Sequence, residues 1–352
     1  MRLVMTLLVR DEEDVLESHL SFHLNAGVDA VIVTDNGSVD GTAEILDRFA
    51  RDGAVHVIHE PAGAFRQREW VTRMARLAAT DFGADWVINS DADEFWWPRG
   101  GSLKDVLDAI PGRYGIVQAF VRHFVPSGDG DDAFAERMVY RLSPEAPVND
   151  PTSPWRPFRK VLHRADPTSD VIEGSHALRD SSFRPLRGWY PIEVLHFPIR
   201  SPAQFARKGA VWASAVEKYY GGARVLPGAG TAYHALAHRA AEGGRSDEYY
   251  ASLALDDAER EQALDEGVLQ VDTRLRDAVR ALGKGEQLSF PRPGVADDAR
   301  FAVDAAVLGE ADVIRAQRRL DELEQRLADV EGNLGIRVER RLRALVRRRR
   351  AT

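Results

Sequence analysis

The stretch Trp86-Val-Ile-Asn-Ser-Asp91-Ala-Asp93-Glu-Phe-Trp-Trp97 decides how the rest of the chain is read. Trp86, Val87 and Ile88 have strand propensity and lead into Asn89, Asp91, Asp93 and Glu94 before an aromatic cluster closes the segment. The pattern predicts a buried strand ending in a carboxylate cluster. In an extended chain residues two apart point the same way, so Asp91 and Asp93 are expected to face one point, where two anions repel unless a cation lies between them. A hard divalent ion, Mn2+ or Mg2+, suits such a pair. The plainer alternative is a polar turn after an edge strand, because Asp-x-Asp alone is common in soluble proteins.

Upstream, short apolar runs alternate with amphipathic ones. Residues 2–9 read as a strand, and Asp11 as the N-cap of a helix carrying Leu16, Leu20, His23 and Leu24 that stops at Gly27. Residues 31–33 form a second expected strand, followed by a polar turn over 34–42 and a helix with Ile45, Leu46 and Phe49 inward. Residues 55–58 and 86–90 give a third and a fourth strand, with a helix over 66–80 between them. Four strand-helix repeats predict an α/β fold, a parallel sheet covered on both faces. Ligands of such sheets bind beyond the C-terminal strand ends, which here carry Arg10, Asp35, and Asp91 with Asp93. Asp35 and Asp40, which precede the helix over 42–50, are both open to reading as helix caps; Asp40 is taken as the cap and Asp35 as a site residue. Arg66 and Arg68, in the first turn of a helix, read either as diphosphate ligands or as solvated surface arginines.

Three blocks in this order, Thr6-Leu-Leu-Val-Arg10-Asp-Glu12, Val33-Thr-Asp35-Asn-Gly-Ser-Val-Asp40-Gly-Thr42 and Asn89-Ser-Asp91-Ala-Asp93-Glu-Phe95, resemble the successive motifs of the family 2 nucleotide-sugar glycosyltransferases. The resemblance covers residues 1–125 closely and 155–220 loosely. It implies the GT-A fold, a Rossmann-like and mostly parallel sheet with helices on both faces. It further implies that Asp35 hydrogen-bonds the base and that Thr6 and Arg10 line the nucleotide pocket. Asp91 and Asp93 would hold ribose and a metal-bound diphosphate, and a downstream histidine, His196, would complete the metal or diphosphate site. Asn36 departs from the commoner Asp-Asp-Gly-Ser of the second block. A carboxylate accepts the N–H of uracil or guanine but finds no such donor in cytosine, so Asp35 favours UDP or GDP donors. The implied activity is metal-dependent, inverting transfer of a sugar from a nucleoside-diphosphate sugar to an acceptor hydroxyl, in polysaccharide or glycoconjugate synthesis. Sugar nucleotidyltransferases share the sheet but open on a glycine-rich loop, which Val9-Arg10-Asp11-Glu12 lacks. A catalytically silent scaffold with the same body is the alternative from another class.

Beyond residue 125 the pattern loosens. Residues 127–132 and 143–157 read as loops, and 137–142 and 158–163 as strands. Glu173, in Val171-Ile-Glu173-Gly-Ser-His176, is the first isolated acid with apolar neighbours after the Asp-x-Asp, and so the candidate base for the acceptor hydroxyl, with Asp170 and Asp180 as rivals. Residues 192–198 alternate as a strand with His196 on the side of Ile192 and Val194, where a core role competes with a ligand role. Ser201 and Pro202 open a helix packing Phe205, Trp212, Val216 and Tyr219, and the flanking Arg200 and Lys208 meet phosphates or solvent. Residues 246–255 and 268–282 read as helical.

The 352 residues allow two domains and an appendage. Residues 1–225 are expected to form the GT-A unit, with 1–125 for the nucleotide sugar and 126–225 for the acceptor. Residues 226–305 would be a helical extension and 306–352 a coiled coil with a basic tail. The absence of cysteine excludes disulfides, thiolate metal sites and a cysteine nucleophile, and suits a reducing cytoplasm. The N-terminal apolar run lacks a small-residue cleavage site and meets Arg10 and Asp11 too soon for a signal peptide or a span. Val313, Leu320, Leu327 and Leu334 fall seven apart, with Ala316, Leu323 and Val330 between them, which predicts a homo-oligomeric coiled coil or else a helix packed back on the body. The net charge is −8, yet residues 337–350 hold eight arginines against the single acid Glu339. A basic amphipathic end is expected on an anionic membrane, at its cytoplasmic face, where a lipid-linked or glycan acceptor would lie. Nucleic acid ranks lower, because no aromatic platform accompanies the arginines.

Overall fold

The computed structural model describes residues 1–61, 66–126, 133–144, 155, 158–220 and 246–349. Leu3–Val9 (β1), Ala30–Asp35 (β2), Val55–His59 (β3) and Trp86–Asp91 (β4) are the four expected strands. Leu16–Asn25 (α1), Thr42–Arg51 (α2) and Gln67–Thr80 (α3) connect them. The strands pair in parallel, with Thr6 of β1 opposite Ile32 of β2 and Asn89 of β4. Alternate residues of β1 serve the two faces. Leu3, Met5 and Leu7 pack with Leu16 and Leu20 of α1, whereas Val4 joins Met74, Ala75 and Ala78 of α3. Helices on both faces explain why these strands read as continuous apolar runs. Asp11 does not cap α1, whose first turn has no side-chain cap; its carboxylate accepts the Val39 N–H at 2.8 Å and ties two loops together.

The chain continues through Glu94–Pro98 (β5), Leu103–Asp108 (α4), Ile116–His123 (β6), Phe134–Arg137 (α5), Tyr140–Leu142 (β7) and Arg159–Arg164 (β8). A 3-10 turn, Glu173–Ser175, precedes Pro185–Leu186 (β9), Ile192–His196 (β10) and Pro202–Tyr220 (α6). Ser246–Ala251 (α7), Asp257–Asp265 (α8), Leu269–Val271 (β11), Arg274–Gly283 (α9) and Val295–Arg349 (α10) complete the order. Nine strands form one sheet in the order β3-β2-β1-β4-β8-β6-β10-β5, with β9 beside β6. β8 and β5 run against the rest. Only Ala92 and Asp93 separate β4 from β5 in sequence, yet three strands lie between them in the sheet. Strands spaced about 4.8 Å apart put the two roughly 19 Å from each other in a flat sheet, beyond the reach of a two-residue link, so the sheet curls back on itself.

That link corrects the extended-chain expectation for the carboxylates. The chain turns at Ala92 and Asp93, and the Glu94 carboxylate closes the turn by accepting the Asp91 N–H at 3.2 Å. Two other elements differ from the sequence reading. The start of the expected strand over 137–142 is occupied by α5, and the expected helix over 268–282 opens with β11, which pairs antiparallel with β7. Leu275, Ala278 and Phe290 then join the main core. The predicted loop over 127–132 and most of that over 143–157 lie outside the described residues, as do the side chains of Trp212, Val216 and Tyr219.

Among the described residues, the long C-terminal helix α10 docks by its first part. Asp298 meets Arg99 at 2.6 Å, Asp304 meets Arg122 at 2.5 Å, and the Arg99 guanidinium stacks over the Phe301 ring. Leu308 packs with Phe120 and Tyr190. Beneath this contact the buried Glu193 carboxylate is shared by Arg122 and Arg274, at 2.6 and 2.7 Å, and these cations outweigh the burial that would raise it, holding it well below the ordinary range.

Candidate active site

Three strand ends of the parallel half share one edge. At the end of β1, the Arg10 Nε is buried without a hydrogen-bond partner, and so is the Asn36 Oδ1 just after β2. Asp35 ends β2 and is 4 % exposed. Its Oδ1 accepts from the Ser38 N–H at 3.1 Å and the Ser38 hydroxyl at 2.6 Å, and its Oδ2 lies 3.6 Å from His59 Nδ1. Asp35 therefore holds a turn and caps no helix. Asp40 is not the cap of α2 either: the N-cap is Gly41, without a side-chain cap, and the Asp40 carboxylate accepts the Thr42 N–H at 3.0 Å. Thr6 sits deeper than the edge. Its hydroxyl donates to Asn89 Oδ1 at 2.8 Å, and Asn89 in turn meets His163 Nε2 at 3.0 Å, a fully buried chain across β1, β4 and β8.

The β4–β5 turn parts the two aspartates into separate ion clusters. Asp91 faces Lys160 of β8, whose Nζ lies 2.9 Å from Asp91 Oδ2 and 2.8 Å from Glu94 Oε1. Lys160 is buried, which by itself would lower its pKa, but the two carboxylates reverse the sign and keep it charged. Burial pushes the Glu94 carboxyl up to about 8 against the pull of Lys160. Asp93, 3 % exposed, has other partners. Its Oδ2 receives Lys208 Nζ of α6 at 2.8 Å, with Arg200 at 3.8 Å, and its backbone carbonyl accepts the Phe197 N–H. Lys208 also meets Glu12 at 2.9 Å. The fully buried Arg200 grips Asp14 at 2.7 Å, as well as Glu12. Burial would raise Asp93; Lys208, His196 and Arg200 together outweigh it and hold the carboxyl well below the ordinary range.

His196 closes this second cluster. It ends β10 opposite Glu94 and His123, with its Nδ1 3.1 Å from His123 Nδ1 and its Nε2 3.6 Å from Asp93 Oδ1. The latter gap is too long for a hydrogen bond. Burial, reinforced by Lys160, Lys208 and Arg200, lowers its pKa to about 4 despite Asp93, so the ring is neutral at pH 7. A neutral imidazole with one nitrogen hydrogen-bonded and the other facing a carboxylate is a donor pair that fits a divalent cation. Among the described residues no group of three or more His, Asp or Glu converges for a metal, and Asp91 stays with Lys160. Mg2+ commonly takes one or two protein ligands and completes its shell with waters and substrate phosphates, so two donors are compatible with the chemistry.

The remaining sequence candidates lie apart from these clusters. Arg68 is spent on Asp170, with both nitrogens on both oxygens at 3.0 and 2.5 Å, and Arg66 pairs with Glu69 at the surface at 3.5 Å. The hydrogen bond from Arg68 lowers the Asp170 carboxyl, which makes this rival a poor base at neutral pH. Glu173 opens the 3-10 turn, and its side chain is outside the described residues. The turn is nevertheless near the second cluster, since His176 and His196 both pack on Phe158. Sequence reasoning passed over Lys160 altogether and did not anticipate the carboxylate partners of Arg200 and Lys208. The strand Arg159–Arg164 holds only Val161 and Leu162 as apolar residues, so its sequence carried no sign that Lys160 is buried.

Residues 9–184, half of the chain, match the family model described as Glycosyl transferase family 2. The chain belongs to that family. The curled, mostly parallel sheet of this family 2 chain is the GT-A arrangement. No curated protein matches it in sequence. Among solved structures, S. aureus TarS 1-349 is 13 % identical, with 64 % of this chain and 74 % of that chain covered and a TM-score of 0.32. Glucosyl-3-phosphoglycerate synthase from Mycobacterium tuberculosis, crystallised with Mn2+, UDP and glucosyl-3-phosphoglycerate, is 23 % identical over 34 % of this chain and 44 % of that one, with a TM-score of 0.25. Among the described residues no helix is long and apolar enough to cross a membrane.

Proposed function

We propose that this family 2 chain transfers a sugar from a UDP- or GDP-sugar to an acceptor hydroxyl with inversion, assisted by Mn2+ or Mg2+. The observation that carries the reading is the facing of Asp93 Oδ1 and the neutral His196 Nε2 at the C-terminal edge of the sheet, beside the cations of Lys208 and Arg200. Asp93 and His196 would hold the ion, which when bound neutralises the diphosphate leaving group. Arg200 and Lys208 position Asp93. Asp35 accepts an N–H of the base, and the Asn36 Oδ1 and the Arg10 Nε, which has Asp11 at 3.7 Å but no hydrogen bond, are at the same edge for the nucleotide. Asp91, fixed by Lys160, serves the ribose. Glu173 takes the proton of the acceptor hydroxyl as its oxygen attacks the anomeric carbon and the bond to the diphosphate breaks; the nearness of its turn to Phe158 and His196 supports this role. The arginine-rich sequence over 337–350 favours an acceptor held at an anionic membrane, which flotation with anionic vesicles would test.

The reading is tested by turnover of labelled UDP- and GDP-sugars with and without Mn2+. Metal-dependent release of UDP or GDP supports it, and no turnover of either donor class with any divalent ion contradicts it. Asp35→Ala should weaken nucleotide binding by about 1–3 kcal/mol, the range for a hydrogen bond to a charged group.

A further inference from the structure

We propose that the outward face of α10 is the seam of a parallel two-stranded coiled coil between two copies of this chain. Val313, Leu320, Leu323, Leu327 and Val330 are 46 to 68 % exposed, with the exposed Ala316 between the first two, and they recur at the three-and-four spacing of a heptad seam. This stripe does not continue the face by which the same helix docks on the body. The docked face carries Phe301, Ala305, Leu308 and Ala311, the last two fully buried. Val313 lies five residues beyond Leu308, a rotation of ~140° about the helix axis. Extended along the helix, the docked face would next present Arg318, Arg319 and Glu322, which suit solvent and end the contact with the body. The helix thus has two apolar faces, one spent and one without a cover among the described residues.

The charges beside the stripe select the occupant and its direction. With Val313, Leu320 and Leu327 at position a and Ala316, Leu323 and Val330 at position d, the flanking g positions are Arg319 and Arg326, and the flanking e positions are Gln317 and Glu324. In a parallel pair a g residue faces the e residue of the next heptad, so Arg319 of each copy meets Glu324 of the other, twice by symmetry. In an antiparallel pair g faces g, which would set Arg319 against Arg326. The stripe is therefore complementary to itself in one direction only. A strict a and d seam is the narrow stripe of a coiled coil, and a second copy is the smallest assembly that covers it. Parallel pairing sets two catalytic bodies side by side and brings both arginine-rich ends to one end of the rod.

The test is the mass of the full chain by light scattering over a micromolar concentration series. A concentration-dependent rise to twice the chain mass is expected. The double variant Leu320→Asp with Leu327→Asp should stay monomeric with the thermal transition of the body retained. Arg319→Glu and Glu324→Arg should each raise the dimer dissociation constant by roughly tenfold, and an equimolar mixture of the two should restore dimers, because each then offers the other opposite charges. A monomer throughout the series, a trimer mass, dimers surviving the double aspartate change, or tighter pairing on Arg319→Glu, as antiparallel strands require, would each overturn the proposal. None of these outcomes bears on the sugar-transfer reading.

Discussion

Asp35 and Asp93 end neighbouring parts of one sheet edge and are equally buried, at 4 and 3 %, yet they are satisfied in opposite ways. Asp35 takes its hydrogen bonds from Ser38, three residues on. Asp93 depends on Lys208, 115 residues on, and on Arg200 from the same late part of the chain. A carboxylate held by its own turn can meet a ligand with the fold indifferent to the outcome. One held by distant cations joins two parts of the chain, so its charge matters to stability as well as to binding.

The largest effect that separates the two is expected at Asp93. Asp93→Asn removes the charge that Lys208 meets at 2.8 Å, while Lys208 keeps Glu12 and Arg200 keeps Asp14 and Glu12, and should destabilise the fold by about 2–3 kcal/mol, read by chemical denaturation. A loss within about 0.5 kcal/mol of zero would mean that the cations are hydrated in solution and that the contrast with Asp35 is empty.

A smaller effect sharpens the contrast through pH. His19 of α1 is fully buried behind the Asp93 turn, 3.3 Å from the Ser90 hydroxyl, and burial lowers its pKa from 6.5 to about 3 despite Asp93 and Asp91. The unfolded chain therefore takes up a proton that the folded chain refuses, and stability is lost as pH falls from about 6.5 toward 3. His19→Leu should shrink the stability difference between pH 7 and pH 5 by about 2 kcal/mol, seen in paired denaturation curves at the two pH values. An unchanged difference would show that His19 is solvated. The smallest effect is at the local carboxylate, where Asp35→Ala should cost about 1 kcal/mol of stability, since only turn hydrogen bonds are lost. A cost as large as that of Asp93→Asn would erase the distinction.

The same difference explains what was legible in the sequence. The four strands and three helices of the first 91 residues followed from apolar periodicity, because each buries its own contiguous run between helices. Asp35 followed from its place at a strand end in a recognisable block. The partners of Asp91 and Asp93 did not, since Lys160 is 69 residues away and Lys208 is 115, and no local pattern encodes a contact made by sheet curling. The extended-chain premise behind the Asp91 and Asp93 reading failed for a related reason. It assumed that β4 continues through Asp93, whereas the chain turns there to begin β5. The curl that defeats local reading also delivers His196 to Asp93, as β10 pairs with β5 and sets His196 opposite Glu94.

The central claim, that Asp93 and His196 together receive a divalent ion with the donor diphosphate, is tested most directly by calorimetric titration of Mn2+ into the protein with and without UDP or GDP. The parent should bind Mn2+ tightly only with the nucleotide present. His196→Ala, which leaves Asp93 paired to Lys208 and Arg200, should keep the parent melting transition and weaken that Mn2+ binding by at least about tenfold, in line with loss of a metal ligand. Equal Mn2+ affinity in parent and variant, or nucleotide binding indifferent to the ion, would contradict the account.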